Sequence, residues 1–133
     1  MKELNIEIDK RVILPVYQEY MFDYSYRYNI YWGGRGSGKT KFIIQKLLVK
    51  GLQEKRMILL MRKETVKLRD SVRKEMNDAI NEFGLRDYFT LNKTEFRITC
   101  NLNGTEFKCL GLDEPEKIKG LIRKDQSQHF LLF

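Results

Sequence analysis

Residues Gly33-Gly34-Arg35-Gly36-Ser37-Gly38-Lys39-Thr40 decide how the rest of the chain is read. The spacing G-x-x-x-x-G-K-T is that of a P-loop, because main-chain amides wrap phosphates only where glycine permits unusual backbone angles and close approach. Gly33, Gly36 and Gly38 meet that need. Lys39 is expected at the β- and γ-phosphates as a point charge, and the Thr40 hydroxyl in a magnesium shell. Both open a predicted helix, whose N-terminal amides and dipole favour an anion. Nucleotide binding by the loop is the first expectation.

The flanks support it. Upstream, Tyr28, Ile30 and Trp32 alternate with Arg27, Asn29 and Tyr31 in a β-favouring run, which predicts a strand leading into the loop. Downstream, Phe42, Ile43, Ile44, Leu47 and Leu48 recur at helical spacing, with Gly51 as the expected left-handed stop. A glycine-rich turn before an ordinary helix is the competing reading, and the strand–loop–helix context favours the nucleotide site.

Working outward, Val12, Ile13, Leu14 and Val16 around Pro15 predict an extended segment. The aromatics of Tyr17-Gln18-Glu19-Tyr20-Met21-Phe22 follow. They have two readings: one stacks on a nucleotide base while Gln18 reads its edge, or they pack over the sheet. On the other side of the loop, Met57 to Met61 form an apolar run bounded by charge, which suits a buried strand of a parallel sheet. With the lead-in strand and the loop helix it would make a right-handed βαβ unit. Leu68, Val72, Met76, Ala79, Ile80 and Phe83 then mark one stripe of a helix that Gly84 should end. Its other face is basic, carrying Arg62, Lys63, Lys67, Arg69, Arg73 and Lys74, and suits either phosphates of a nucleic acid or plain solvent.

Glu95 to Leu110 reads as a hairpin about Asn103-Gly104. A two-residue loop there sets Leu102 opposite Thr105, Cys100 opposite Phe107 and Ile98 opposite Cys109. Phe96, Ile98, Cys100, Leu102, Phe107 and Cys109 then share one face. A polar loop follows from Gly111 to Gly120, and the tail shows no periodicity before its last four apolar residues.

The chain of 133 residues is one domain at most, and its 42% hydrophobic content suffices for a modest core. Twenty-five Lys and Arg against 18 Asp and Glu leave +7, which favours a polyanionic partner or an acidic protein surface. No apolar run is long enough to span a bilayer and the N-terminus lacks a signal-peptide core, so a cytosolic protein without membrane contact is expected. Cys100, Cys109 and the single His129 are too few for a disulfide framework or a structural zinc site, and the cysteines read as reduced core thiols.

In combination, the loop at 33–40, the strand ending Met61-Arg62-Lys63, the following Leu68-Arg69-Asp70-Ser71-Val72, and the hairpin leading to Gly111-Leu112-Asp113-Glu114-Pro115-Glu116-Lys117-Ile118-Lys119-Gly120 resemble the large subunit of tailed-phage terminases, of the PBSX-like group. The similarity covers roughly Arg27 to Gly120 in the same order. It implies an α/β P-loop NTPase of RecA/ASCE type: a parallel sheet with flanking helices and an inserted β-hairpin. Residues 1–133 would be part of the N-terminal ATPase domain of an ATP-driven motor that packages viral DNA and cleaves the concatemer. ATP and Mg2+ are the implied cofactors. Gly33, Gly34, Arg35, Gly36, Ser37, Gly38, Lys39 and Thr40 would bind the nucleotide, with Thr40 at the metal.

Arg35 corresponds to the family's arginine near the γ-phosphate, stabilising transition-state charge or pinning the loop. Implied partners are double-stranded viral DNA, the terminase small subunit, the capsid portal and further copies of the full-length subunit, in the host cytoplasm. Against the family pattern, the acidic Walker B strand end and the C-terminal nuclease domain are missing, and Asp113 and Glu114 precede the Walker B position. The expectation is therefore a fragment, such as a prophage remnant, truncated before the Walker B strand, with a gap in its sheet. It would bind ATP without hydrolysing it. Another DNA-directed P-loop ATPase, helicase- or recombinase-like, and a non-catalytic nucleotide-binding module are the alternatives.

Overall fold

The computed structural model describes residues 6–25, 29–34, 37–62, 65–92, 97–111, 116 and 128–132, with backbone alone at 62, 65–70, 110–111 and 128–132. Strand β1 (Met57–Arg62) is its axis. Met57, Ile58, Leu59 and Leu60 are each at most 2% exposed, the signature of a strand covered on both faces. On one edge runs β4 (Glu106–Gly111) and on the other β5 (Gln128–Leu132), both parallel to β1, with Leu60 opposite Cys109 and Leu131. Strand β3 (Arg97–Cys100) joins β4 antiparallel, and β2 (Phe89–Asn92) joins β3 antiparallel. The sheet order is β2-β3-β4-β1-β5, a mixed α/β arrangement with a parallel centre and an antiparallel wing.

Helices α1 (Lys39–Gln53) and α2 (Thr65–Glu82) both contribute to the main core. Phe42, Ile44 and Leu48 of α1 and Val72, Met76, Ala79 and Ile80 of α2 cluster with Ile58, Leu60, Ile98, Phe107 and Cys109 of the sheet. Met57 and Leu59 point the other way and form a second cluster with Met61, as strand alternation requires. The stripe expected on α2 is buried from Val72 to Phe83, while the Leu68 side chain lies outside the described residues. Gly84 ends the helix as expected, with φ +68°. Leu85 N–H bonds to the Ile80 carbonyl (2.9 Å) and Gly84 N–H to that of Asn81 (3.0 Å), a Schellman motif. Both cysteines are buried thiols outside any disulfide.

Five expectations need correction. The first is the lead-in strand: residues 29–34 pair with no described strand. Ile30 and Trp32 are 86% and 91% exposed, whereas Tyr31 turns inward onto Phe42. Alternation predicted a strand, but a strand exists only where a neighbour takes its amides, and none of the described strands does so here. The expected βαβ unit is therefore not formed by these residues.

Second, the sheet has no gap beside β1, because the tail supplies β5. Parallel pairing of so short a strand depends on the partner edge, which sequence periodicity does not report.

Third, Gly51 does not stop α1, which continues to Gln53; positive φ among the described glycines belongs to Gly38, Gly84 and Gly104. Gly51 instead gives room to the hairpin, since a Cβ there would lie 2.9 Å from Thr105 Cγ2 and 3.0 Å from Phe107 Cζ.

Fourth, the hairpin register is shifted by two residues: Ile98 faces Phe107 and Thr99 faces Glu106. The loop is Asn101 to Gly104, closed by Cys100 N–H to the Thr105 carbonyl (2.7 Å) and Gly104 N–H to that of Cys100 (2.9 Å). Asn103 explains the shift, because its side chain is already engaged. Its carbonyl accepts from Thr105 N–H (3.0 Å) and its amide donates to the Gly51 carbonyl (2.7 Å). A shift of two leaves the faces unchanged, so Ile98, Cys100, Phe107 and Cys109 are buried as expected.

Fifth, the extended segment around Pro15 is two 3-10 turns, Lys10–Val12 and Pro15–Tyr20, with Pro15 at the first position of the second. There its missing N–H costs nothing.

Candidate phosphate-binding loop

The first turn of α1 has the charge arrangement opposite to what a helix N-terminus ordinarily favours. It contains Lys39 and Lys41 and no acid, and no side chain caps it. The helix dipole makes cations unfavourable there and an anion favourable. Lys41 is compensated by Glu82 of α2 (3.0 Å). Lys39 instead arches back over the loop and donates to the Gly33 carbonyl at 2.8 Å.

Gly38 is the N-cap, in the left-handed region at φ +77°, and its carbonyl accepts from Phe42 N–H (2.9 Å). Ser37 N–H bonds to the Gly34 carbonyl at 3.3 Å. A Cβ at Gly33 would come within 3.0 Å of Ser37 Oγ, so the turn closes tightly on itself. Ser37 Oγ is buried and has no hydrogen-bond partner among the described residues. An uncapped helix start, a buried hydroxyl with no described partner and a first turn with lysines but no acid suit a polyphosphate. Thr40, the second residue of α1, is half-buried beside it. The structure thus brings Gly33, Gly34, Ser37, Gly38, Lys39 and Thr40 together. Arg35 and Gly36 lie outside the described residues, as do Asp113 and Glu114.

Three side chains from residues 14–24 upstream meet this loop and its helix, and sequence reasoning identified none of these contacts. Tyr17 stacks flat on Phe42, centroids 4.5 Å apart and planes 6° from parallel, and its hydroxyl donates to the Ser37 carbonyl at 3.0 Å. Leu14 covers Gly38 so closely that a Cβ there would lie 2.3 Å from Leu14 Cδ1. Tyr24 donates to the Lys46 carbonyl at 2.7 Å. Of the two readings for this segment, packing accounts for Tyr17. Gln18 spends its amide on the carbonyls of Lys10 (3.0 Å) and Ile13 (3.1 Å), which ties the two 3-10 turns together. The aromatic run was the available signal, but it does not say which ring reaches the loop 20 residues on.

Deeper along α1, Lys46 is only 7% exposed. Its ammonium donates to the Tyr31 hydroxyl (3.1 Å) and lies 5.2, 5.8 and 5.9 Å from the ring centroids of Tyr24, Tyr31 and Phe42. Ring quadrupoles replace part of the hydration the cation has lost. Burial, and then the neighbouring Tyr31, push the Tyr24 phenol above its ordinary range. Hydrogen bonds from Ser25 hold the Asp23 carboxyl below its own.

The basic face expected on α2 falls largely on side chains outside the described residues. Among those described, no cluster of His, Cys, Asp and Glu could hold a metal ion, and no helix is long and apolar enough to cross a membrane.

Comparison with known proteins agrees with the resemblance. The family described as phage terminase large subunit matches residues 25–127. The PBSX phage terminase large subunit of Bacillus subtilis (strain 168) is 29% identical over 109 residues, covering 82% of this chain and 25% of the relative. The chain therefore spans about a quarter of the length of the curated relative it matches.

Proposed function

The chain belongs to the phage terminase large subunit family, and on that premise we propose that its loop at 33–40 binds the phosphates of ATP as part of a viral DNA-packaging motor. The observation that carries the reading is the first turn of α1: two lysines, no acid and no side-chain cap, with Lys39 resting on a carbonyl of its own loop. On nucleotide binding, Lys39 leaves Gly33 for the β- and γ-phosphates, and the amides at the start of α1 and the Ser37 hydroxyl meet phosphate oxygens. Gly33, Gly34, Gly36 and Gly38 allow the backbone that approach. Thr40 and the nucleotide would hold Mg2+, which neutralises phosphate charge when bound. Arg35 either stabilises charge at the γ-phosphate or pins the loop.

The fold reading is that of a P-loop NTPase, with β4, β1 and β5 as its parallel centre. In the family's strand order the Walker B strand runs beside β1, the position that β5 takes here. None of the five residues of β5 is acidic, and Asp113 and Glu114 precede it in sequence, so these 133 residues are expected to bind ATP without turning it over. The whole protein would act in the host cytoplasm as a homo-oligomer with double-stranded viral DNA, the terminase small subunit and the capsid portal, and would cut the concatemer with a separate nuclease domain. The net charge of +7 is consistent with a polyanionic partner.

The test is an ATP-binding titration of the 133-residue chain with magnesium, beside steady-state hydrolysis with double-stranded DNA and a Lys39→Ala control. Binding that falls about 10- to 100-fold in the control, without turnover in either, is the expected result. No binding to the wild-type chain would overturn the phosphate-loop reading. Turnover abolished by Lys39→Ala would make the chain an ATPase in its own right, with a catalytic acid to be found at Asp113 or Glu114.

A further inference from the structure

We infer that Tyr17, together with Leu14, is a positioning residue that sets the phosphate loop for the polyphosphate rather than for the base; the inference rests on the nucleotide-site reading above. Tyr17 is fixed at both ends. Its ring lies flat on Phe42, which is 1% exposed and is held edge-on by Tyr31 at 5.1 Å and 87°. Its hydroxyl reaches the Ser37 carbonyl.

That carbonyl belongs to the peptide joining Ser37 to Gly38. A trans peptide is planar, with its C=O and N–H pointing in opposite directions. Holding the Ser37 oxygen toward Tyr17 therefore aims the Gly38 N–H away from it. Gly38 is in the left-handed region and, as a glycine, rotates readily, so without a restraint this peptide would flip.

Leu14 supplies a second restraint, filling the space over the Gly38 Cα where a Cβ would otherwise stand. Tyr17 N–H bonds to the Leu14 carbonyl at 2.9 Å, so the two side chains leave one 3-10 turn as a single clamp. They act on the two residues immediately before Lys39. One hydrogen bond and one apolar contact thus pre-order the amides of an anion site, and pre-ordering reduces what binding must spend on immobilising the loop.

Calorimetric titration of the 133-residue chain with ATP and, separately, with inorganic tripolyphosphate tests this, using wild type, Tyr17→Phe and Leu14→Ala. Tyr17→Phe keeps the stacked ring and removes only the hydroxyl. Leu14 is 43% exposed, so its truncation keeps the fold and the hydroxyl while loosening the cover on Gly38. The expected result is that each variant weakens both ligands by the same factor, about three- to tenfold. In native-state hydrogen exchange the Ser37 amide, bonded to the Gly34 carbonyl within the loop, exchanges faster while amides of β1 do not change, which a general loss of stability would not produce. Unchanged affinity in both variants, with wild type binding normally, overturns the inference and leaves the nucleotide site standing. Weakening of ATP alone assigns Tyr17 to the base and also overturns it. Absence of binding in wild type removes the nucleotide site itself.

Discussion

Gly51 and Phe107 are in direct contact across the helix–sheet interface: a Cβ added to Gly51 would lie 3.0 Å from Phe107 Cζ, and 2.9 Å from Thr105 Cγ2. Neither neighbour is free to retreat. Phe107 is fully buried, and the Thr105 hydroxyl is held by the carbonyls of Gly51 (2.9 Å) and Glu54 (3.0 Å) and by Arg56 N–H (3.0 Å). Alanine in place of a mid-helix glycine ordinarily stabilises by about 1 kcal/mol, but overpacking a rigid site costs about 1–3 kcal/mol.

The second effect wins here. Gly51→Ala is expected to destabilise the chain by about 1 kcal/mol or more, read as a lower urea midpoint with an unchanged slope. A raised midpoint would show that the hairpin can move aside.

Lys46 separates charge from volume. Lys46→Met keeps the length of the side chain and loses the cation–π contacts, so a loss of about 1 kcal/mol is expected. Lys46→Glu sets a carboxylate against ring faces that repel it, at a depth where it is poorly hydrated, and should cost about 3 kcal/mol or more. Equal losses in urea unfolding would mean that the sign of the charge is irrelevant and that only packing counts.

Tyr24 predicts the alkaline limb of stability. Burial raises its pKa in the folded chain above the ordinary value of 10.0. The stability it contributes is therefore fully present below that value. It is lost as pH rises beyond it, because the unfolded chain then releases a proton that the folded chain keeps. Among the described residues, Asp23, Tyr31, Lys46 and Lys50 are the titratable groups around this phenol, and Lys50 lies 4.6 Å from its ring centroid. Urea midpoints should fall as pH rises above about 10, and Tyr24→Phe should flatten that fall while lowering the plateau through loss of the bond to Lys46. An unchanged slope in the variant would place the alkaline loss elsewhere.

The elements legible in the sequence were those whose cause is local. β1 declared itself by uninterrupted apolar residues, α2 by its stripe from Val72 to Phe83, and the end of α2 by Gly84, since each depends on neighbours within a turn or two. The start of α1 was equally local: Gly38 is its left-handed N-cap, and Lys39 and Thr40 open the helix as their spacing after the glycines predicts. Misread elements had causes far off in the chain. Gly51 looked like a helix stop because the ring that needs its space is 56 positions away, and the hairpin looked two residues tighter because Asn103 is engaged by α1.

By itself, then, the sequence determined the helix and central-strand segments, the inward faces of β3 and β4, and the glycine end of α2. All of these are encoded by side-chain period and glycine spacing. Only tertiary structure decided that residues 128–132 close on β1, that residues 29–34 stand outside the sheet with Trp32 exposed, and that Tyr17 and Leu14 hold the loop from above. Those outcomes depend on which edge or cavity remains open once the other elements have packed, a competition among distant surfaces that no local pattern records.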